Sequence, residues 1–243
     1  MASNQIILFD LPSKPPCSAW SLNPWKTRLL LNYKGLDYKT EWLEYPNIKP
    51  TLEKHIPPNE TGTPYTIPAI RLPDGTYMMD SRKIANYIEQ KHPSPPVHLD
   101  SPYLAKLEAI MPRLMTELRG IYIPLIPKRL LNEASVPYWN ETRTKAVGMS
   151  LDQLEKERGG DIGWSAVAPL LQEVTALLKE NTEGPFFMGK TVSYADFVWA
   201  GFLIFCQRIG QDVYEEALKR SGDAKVHEDL MEAVKPWSQR NDH

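Results

Sequence analysis

The chain predicts an α/β unit followed by an all-helical half, α/β plus all-α in fold class, and three observations carry this. Short apolar runs bounded by Pro, Gly and Asp occur before His92. The stretch His92-Pro-Ser-Pro-Pro96 is a linker by composition. Beyond it the strand signals stop and helical periodicity takes over. Strands followed by a run of helices indicate two unlike domains rather than one wound sheet. The expected division is a first domain over residues 1–92, a linker over 93–101 and a helical domain over 102–243.

Each element has its own signal. Ile6 to Phe9 is a short apolar run and reads as a strand, followed by a loop rich in Pro and Ser from Asp10 to Trp20. Trp25, Leu29, Leu30 and Leu31 fit a helix from Pro24 to Tyr33, which Gly35 ends. Pro24 suits the first turn, where a missing N–H costs nothing. Tyr38 to Leu43 alternates as a strand, and a long polar stretch with prolines then runs from Glu44 to Tyr65. That length hints at function. Ile67–Leu72 and Thr76–Met79 flank Pro73-Asp74-Gly75, a hairpin signal. Ser81 to Lys91 carries Ile84, Tyr87 and Ile88 on one helical face. In the second half, helices are expected over 102–118, 138–149, 151–158, 164–180, 194–210 and 212–220.

Composition narrows the function classes. A net charge of −2 gives no electrostatic case for nucleic acid or for an anionic membrane surface. No apolar run is long enough to cross a bilayer, and the run from Ile6 is too short for a signal-peptide core. Cys17 and Cys206 are far apart, which argues against a disulfide framework and for a reducing, cytosolic setting. The histidines at 55, 92, 98, 227 and 243 show no metal-ligand spacing, so no metal is expected.

The residues that carry chemistry lie mostly in the first domain. Ser21 stands three residues before Pro24, ahead of a helix start. A free thiol ionises at a pKa of about 8.5, and lowering that by two units requires about 2.7 kcal/mol of preference for the anion. A hydrogen bond to a charged group supplies roughly 1.5–3 kcal/mol, and a helix N-terminus roughly 0.3–1 more. A hydroxyl at this place therefore has the magnitude to hold a thiolate. The alternative is that Ser21 or Asn23 only caps the helix. Cys17 is the rival nucleophile, in the loop after the first strand but without a Cys-x-x-Cys partner.

Pro68 follows Thr66-Ile67 directly before an apolar strand. A trans proline at a strand start is one reading. In the other, a cis bond turns the Ile67 backbone groups outward to pair with an extended peptide. Asp80-Ser81 precedes a helix and can cap it; it can also bind a carboxylate at the helix N-terminus and an α-amino group on Asp80. Ser193 and Asp196 have the spacing of a capping box ahead of a helix that is apolar nearly all round, which is a structural signal.

Taken together these motifs resemble the glutathione transferases, and the resemblance covers nearly the whole chain. Ser21-x-x-x-Trp25-Lys-Thr-Arg resembles the serine-type motif of zeta-like and etherase-like members. Ile67-Pro68 resembles the family's cis-proline, Asp80-Ser81 its acidic-Ser pair for the γ-glutamyl end, and Gly189 to Phe197 its folding motif in the helical domain. Trp25 to Gly35 and Tyr38 to Pro46 look most like the fungal etherase-related class known as FuA, whose members are also noted for binding plant and wood polyphenols. The chain departs from many relatives in having Leu22 in place of Pro and Asn23 in place of the Cys of zeta members.

The resemblance implies a thioredoxin-like first domain and a cytoplasmic, detoxifying homodimer with glutathione as co-substrate. Ser21 would stabilise the thiolate, with Asn23 as the competing donor. Thr66, Ile67, Pro68, Asp80 and Ser81 would bind glutathione. Glutathione has two carboxylates and a helix N-terminus binds one, so Lys49, Lys54 and His55 in the long polar segment are candidates for the glycyl end. An aromatic electrophile or ether would sit against the first helix of the second domain, where Met111, Met115, Leu118 and Tyr122 are expected. Two alternatives remain in sequence terms: a non-catalytic carrier of aromatic metabolites, and a thiol transferase using Cys17.

Overall fold

The structure, a computed structural model, describes residues 5–241. The strands are β1 (Ile6–Asp10), β2 (Tyr38–Trp42), β3 (Ala69–Arg71) and β4 (Tyr77–Met79). The helices of the first half are α1 (Leu22–Tyr33), α2 (Tyr45–Leu52) and α3 (Ser81–Lys91). Those of the second half are α4 (Pro102–Glu117), α5 (Arg119–Arg129), α6 (Val136–Val147), α7 (Leu151–Arg158), α8 (Gly160–Lys179), α9 (Tyr194–Ile209), α10 (Gln211–Arg220) and α11 (Ala224–Ser238).

The sheet order is β2-β1-β3-β4. β1 runs parallel to β2, with Leu8 opposite Thr40, and antiparallel to β3, with Leu8 opposite Ile70. β1 is buried at all five positions, as a central strand covered on both faces must be. This is the thioredoxin-like arrangement, followed by a helical domain. Under the sheet's edge the Asp10 carboxylate accepts from Arg28 at 2.9 Å, and both side chains are fully buried. Burial pushes the Asp10 carboxyl up and the Arg28 guanidinium pulls it back.

Three helices fall outside the segments that periodicity singles out. α2 occupies the start of the stretch expected as a loop. Pro46 lies in its first turn, where no N–H is needed, and Pro50, which has no N–H to donate, lies on the exposed face while Ile48 and Leu52 are buried on the other. α5 contains Pro124 and Pro127, each lacking an N–H for the backbone ladder, and follows α4 after the single residue Leu118, with Ile121, Ile123 and Ile126 buried. α11 buries His227, Leu230 and Val234.

The core of the second half is α9, which is buried along nearly its whole length. Its start is the expected capping box. Asp196 accepts from the Phe187 N–H at 2.9 Å and from the Ser193 N–H and hydroxyl at 2.7 and 2.8 Å. Burial still raises its carboxyl to about 6, against those bonds, which lower it. Deeper in, His227 accepts from the Trp199 indole at 2.9 Å and meets the Thr175 hydroxyl at 2.8 Å, and burial lowers its imidazole to about 4. α9 packs more extensively on α1 than any other two elements pack together, so the two halves share one continuous core.

Candidate functional site

The loop from β1 to α1 is pinned by two fully buried tryptophans. The Trp20 indole donates to the Pro12 carbonyl at 3.1 Å and the Trp25 indole to the Ala19 carbonyl at 3.2 Å. Between them Ser21 takes the N-cap position of α1 in extended backbone conformation, and the first helical bond runs from the Trp25 N–H to its carbonyl. Its side chain makes no capping bond. An N-cap hydroxyl bonds to the N–H of the second or third helical residue; the third here is Pro24, which has none, and the N–H of the second, Asn23, is not bonded by it either. The hydroxyl therefore stands beside a helix N-terminus with no capping bond.

Two clefts meet at this turn. The first, of about 650 Å³, is lined by Asn23, Lys26, the segment around Asn59–Thr63, Thr66, Ile67, Pro68, Asp80, Ser81, Arg82, Lys83, Glu108, Met111 and Tyr194. The second, of about 460 Å³, is lined by Ser21, Asn23, Tyr45, Lys49, Thr63, Tyr65, Thr66, Ile67, Arg119, Tyr122, Tyr138 and Arg143. Asn23, Thr63, Thr66 and Ile67 belong to both and form the shared rim.

In the first cleft the Ile67–Pro68 peptide is cis. Asp80 is the N-cap of α3 and holds a positive φ of 81°, a conformation that costs a non-glycine residue of order 1–3 kcal/mol and clusters at ligand sites. Its Oδ1 accepts from the Arg82 and Lys83 N–H groups at 2.8 and 3.1 Å, so one oxygen caps the helix and Oδ2 takes neither bond. Capping and ligand binding can therefore coexist in one carboxylate. Ser81 at the helix start gives its carbonyl to the Tyr194 hydroxyl at 3.1 Å, which ties α9 to this wall. Arg82 is committed to Glu108 at 3.1 Å and to the Leu99 carbonyl. Burial holds Lys26 down at about 8, with Glu108 and Asp80 pulling the other way.

The structure distributes the remaining expected residues unevenly. Of the three candidate cations, Lys49 lines the second cleft, whereas Lys54 and His55 line neither. The His55 ring stacks on Tyr77 with centroids 4.1 Å apart. Met111 lines the first cleft and Tyr122 the second. Tyr122 sits on α5 rather than on the first helix of the second half, because the chain breaks at Leu118. Leu118 is fully buried in the core and Met115 packs half-buried against it. Cys17 is exposed, lines neither cleft, and desolvation raises its thiol pKa, opposite to what a nucleophilic thiolate needs. Among the described residues no group of three His, Cys, Asp or Glu could hold a metal ion.

Sequence reasoning missed Lys26, Arg119, Arg143, Tyr45 and Tyr138. Lys26 had a usable signal: it stands three residues after Asn23, on the same face of a helix whose other residues are mostly apolar.

Comparison with known proteins agrees with this geometry. The family described as glutathione S-transferase, N-terminal domain, matches residues 20–91, and that described as glutathione S-transferase, C-terminal domain, matches residues 105–237. The chain belongs to the glutathione S-transferase family. Among curated relatives it is 30% identical over 230 residues to the glutathione S-transferase-like protein ustS of Aspergillus flavus, covering 86% of this chain and 83% of that one. Among solved structures it is similar to glutathione transferase GSTFuA3 from Phanerochaete chrysosporium, with a TM-score of 0.81 and 27% identity over 96% of this chain and 97% of that one. It is also similar to the glutathione S-transferase CsGST63524 of Ceriporiopsis subvermispora, solved in complex with glutathione, with a TM-score of 0.84 and 28% identity over 97% and 98%. No helix among the described residues is long and apolar enough to cross a membrane.

Proposed function

We propose that this transferase holds glutathione in the first cleft with its sulfur at the shared rim, and attacks an aromatic electrophile or ether in the second. The single observation that carries this is the unspent Ser21 hydroxyl at the N-cap of α1, where the two clefts join. Glutathione is the co-substrate. Its γ-glutamyl carboxylate meets the start of α3 at Ser81, and its α-ammonium meets Asp80 Oδ2. Its cysteinyl backbone pairs with Ile67, beside Thr66 and Pro68. The Ser21 hydroxyl donates to the thiolate, with the Asn23 amide as second donor. Of the three candidate cations we assign the glycyl carboxylate to Lys49, which lines the second cleft, whereas Lys54 and His55 line neither. Tyr122 belongs to the acceptor site, and Met111 closes the other side of the sulfur.

The thiolate then forms a carbon–sulfur bond as the bond to the leaving group breaks. For an aryl ether the departing phenolate takes a proton from solvent. The many aromatic rings of the second cleft support polyphenol binding at the same place. The reading includes a cytoplasmic, detoxifying homodimer, which sedimentation and cell fractionation would check.

The decisive experiment compares Ser21→Ala with Cys17→Ser. Ser21→Ala is expected to lower turnover about 10- to 100-fold, a loss of roughly 1.4–2.8 kcal/mol, with glutathione binding changed little. Normal turnover in Ser21→Ala together with collapse in Cys17→Ser would move the chemistry to the thiol. Turnover absent from the parent protein on every electrophile, with polyphenols still bound, would make it a carrier.

A further inference from the structure

The two clefts differ in charge. The first balances Lys26, Arg82 and Lys83 against Glu60, Asp80 and Glu108. The second has Lys49, Arg119 and Arg143 and no acidic residue in its wall. Neither Arg119 nor Arg143 has a carboxylate within 4 Å among the described residues. Glu44, one residue before Tyr45, spends its carboxylate on Asn132 at 2.8 Å and on the Ser135 hydroxyl. The wall of this cleft therefore carries two guanidiniums without a carboxylate partner.

Their setting suits a planar anion. The Arg143 guanidinium lies over the Trp139 ring at 4.2 Å and near the Tyr45 ring at 5.5 Å. Its face is thus stacked; one of its nitrogens donates to the Thr142 hydroxyl at 3.1 Å, and the remaining N–H groups are of the kind that pair with a carboxylate. Tyr45 and Tyr138 stack with centroids 6.0 Å apart, making a wall for a ring. Burial pushes the Tyr45 and Tyr122 phenols up, so both remain neutral donors.

We propose that the second cleft selects aromatic acids, seating the ring against Tyr45 and Tyr138 and holding the carboxylate on Arg143 and Arg119. The inference rests on the placement of glutathione in the first cleft and goes beyond it: the acceptor is an anion, not a neutral hydrophobe.

Calorimetric titration with 4-hydroxycinnamate and with its methyl ester separates charge from shape. The acid is expected to bind at least about tenfold more tightly than the ester, about 1.4 kcal/mol, and the gap should narrow at high salt. In Arg119→Gln/Arg143→Gln the gap should vanish while the ester and glutathione bind as before. Retained glutathione binding shows that the variant is folded. Arg119→Gln alone, at an exposed position, should lose part of the gap. Equal binding of acid and ester by the parent protein, or of neither, overturns the inference. So does a gap that survives the double variant. A fall in glutathione affinity in that variant also overturns it, because the arginines would then hold the glycyl carboxylate. Failure of the parent protein to bind glutathione at all would instead remove the underlying assignment of the first cleft.

Discussion

The first cleft is made of helix starts and caps; the second is made largely of side chains from three distant helices. In the first, the working groups are the start of α1, the turn into β3 and the start of α3, where backbone N–H groups lack partners in any sequence. In the second, Tyr45 of α2, Arg119 and Tyr122 of α5, and Tyr138 and Arg143 of α6 converge from segments up to about ninety-eight residues apart. A site built from helix ends is tied to the fold and suits a ligand that never changes. A site built from side chains on a rigid wall can be altered without disturbing the sheet, and suits a ligand that differs between relatives.

This contrast predicts which changes act on both clefts and which on one. The largest effect should come from Asp196→Ala, which removes the acceptor for three buried donors at the start of α9. A loss of about 2–4 kcal/mol is expected by chemical denaturation, with both clefts failing together. The pH dependence has a definite sign. The folded state raises the Asp196 carboxyl to about 6, above its ordinary 3.8, so the native protein binds more protons between those values. Its contribution to stability is full below that window and falls as pH rises through it. The damage done by Asp196→Ala should therefore be larger at pH 4 than at pH 7, by about 2 kcal/mol.

Next in size is Asp80→Ala/Ser81→Ala. It should raise the glutathione KM by roughly 30- to 100-fold while the acceptor KM stays within about twofold, since the lost contacts are equal in ground and transition states. An equal rise in both KM values would erase the distinction between the clefts. A smaller effect is expected of Lys26→Gln: a three- to tenfold or so increase in glutathione KM at pH 7, where the parent Lys26 is charged. Because burial places Lys26 at about 8, the advantage of the parent protein should fade as pH rises past that value. A gap that persists unchanged at pH 9 would assign Lys26 to packing. Smallest is Lys49→Ala, expected to raise the glutathione KM by about threefold at most, because it is an exposed cation in the wall of the second cleft. Lys54→Ala and His55→Ala should have no effect on it.

The same contrast explains what was legible in the sequence. Capping positions and X-Pro bonds are short-range signals, so Ser21, Pro68, Asp80 and Asp196 stand out within a few residues of their partners. The order of strands and the presence of most helices were legible for the same reason. α2 and α5 were hidden by prolines, and with them went Arg119 and the α2 wall of the second cleft. Arg143 lay inside an expected helix, but nothing local shows that its guanidinium stacks on Trp139 or that the cleft it faces has no acid. Pro24 was read as a helix starter. Its further effect, removing one of the two N–H groups that the Ser21 hydroxyl could cap, follows only once the N-cap is placed.

Gly201, midway along α9, sits against the first turn of α1. A β-carbon there would come within 3.1 Å of the Leu22 carbonyl and 3.5 Å of the Trp25 side chain. The turn that presents Ser21 is thus moulded by a helix of the other half of the chain. The two halves are not interchangeable parts. A chimera joining this sheet to another relative's helical half would set the position of the Ser21 hydroxyl through a residue more than a hundred positions away, and recombination between relatives would preserve chemistry only where the α1 and α9 surfaces had diverged together.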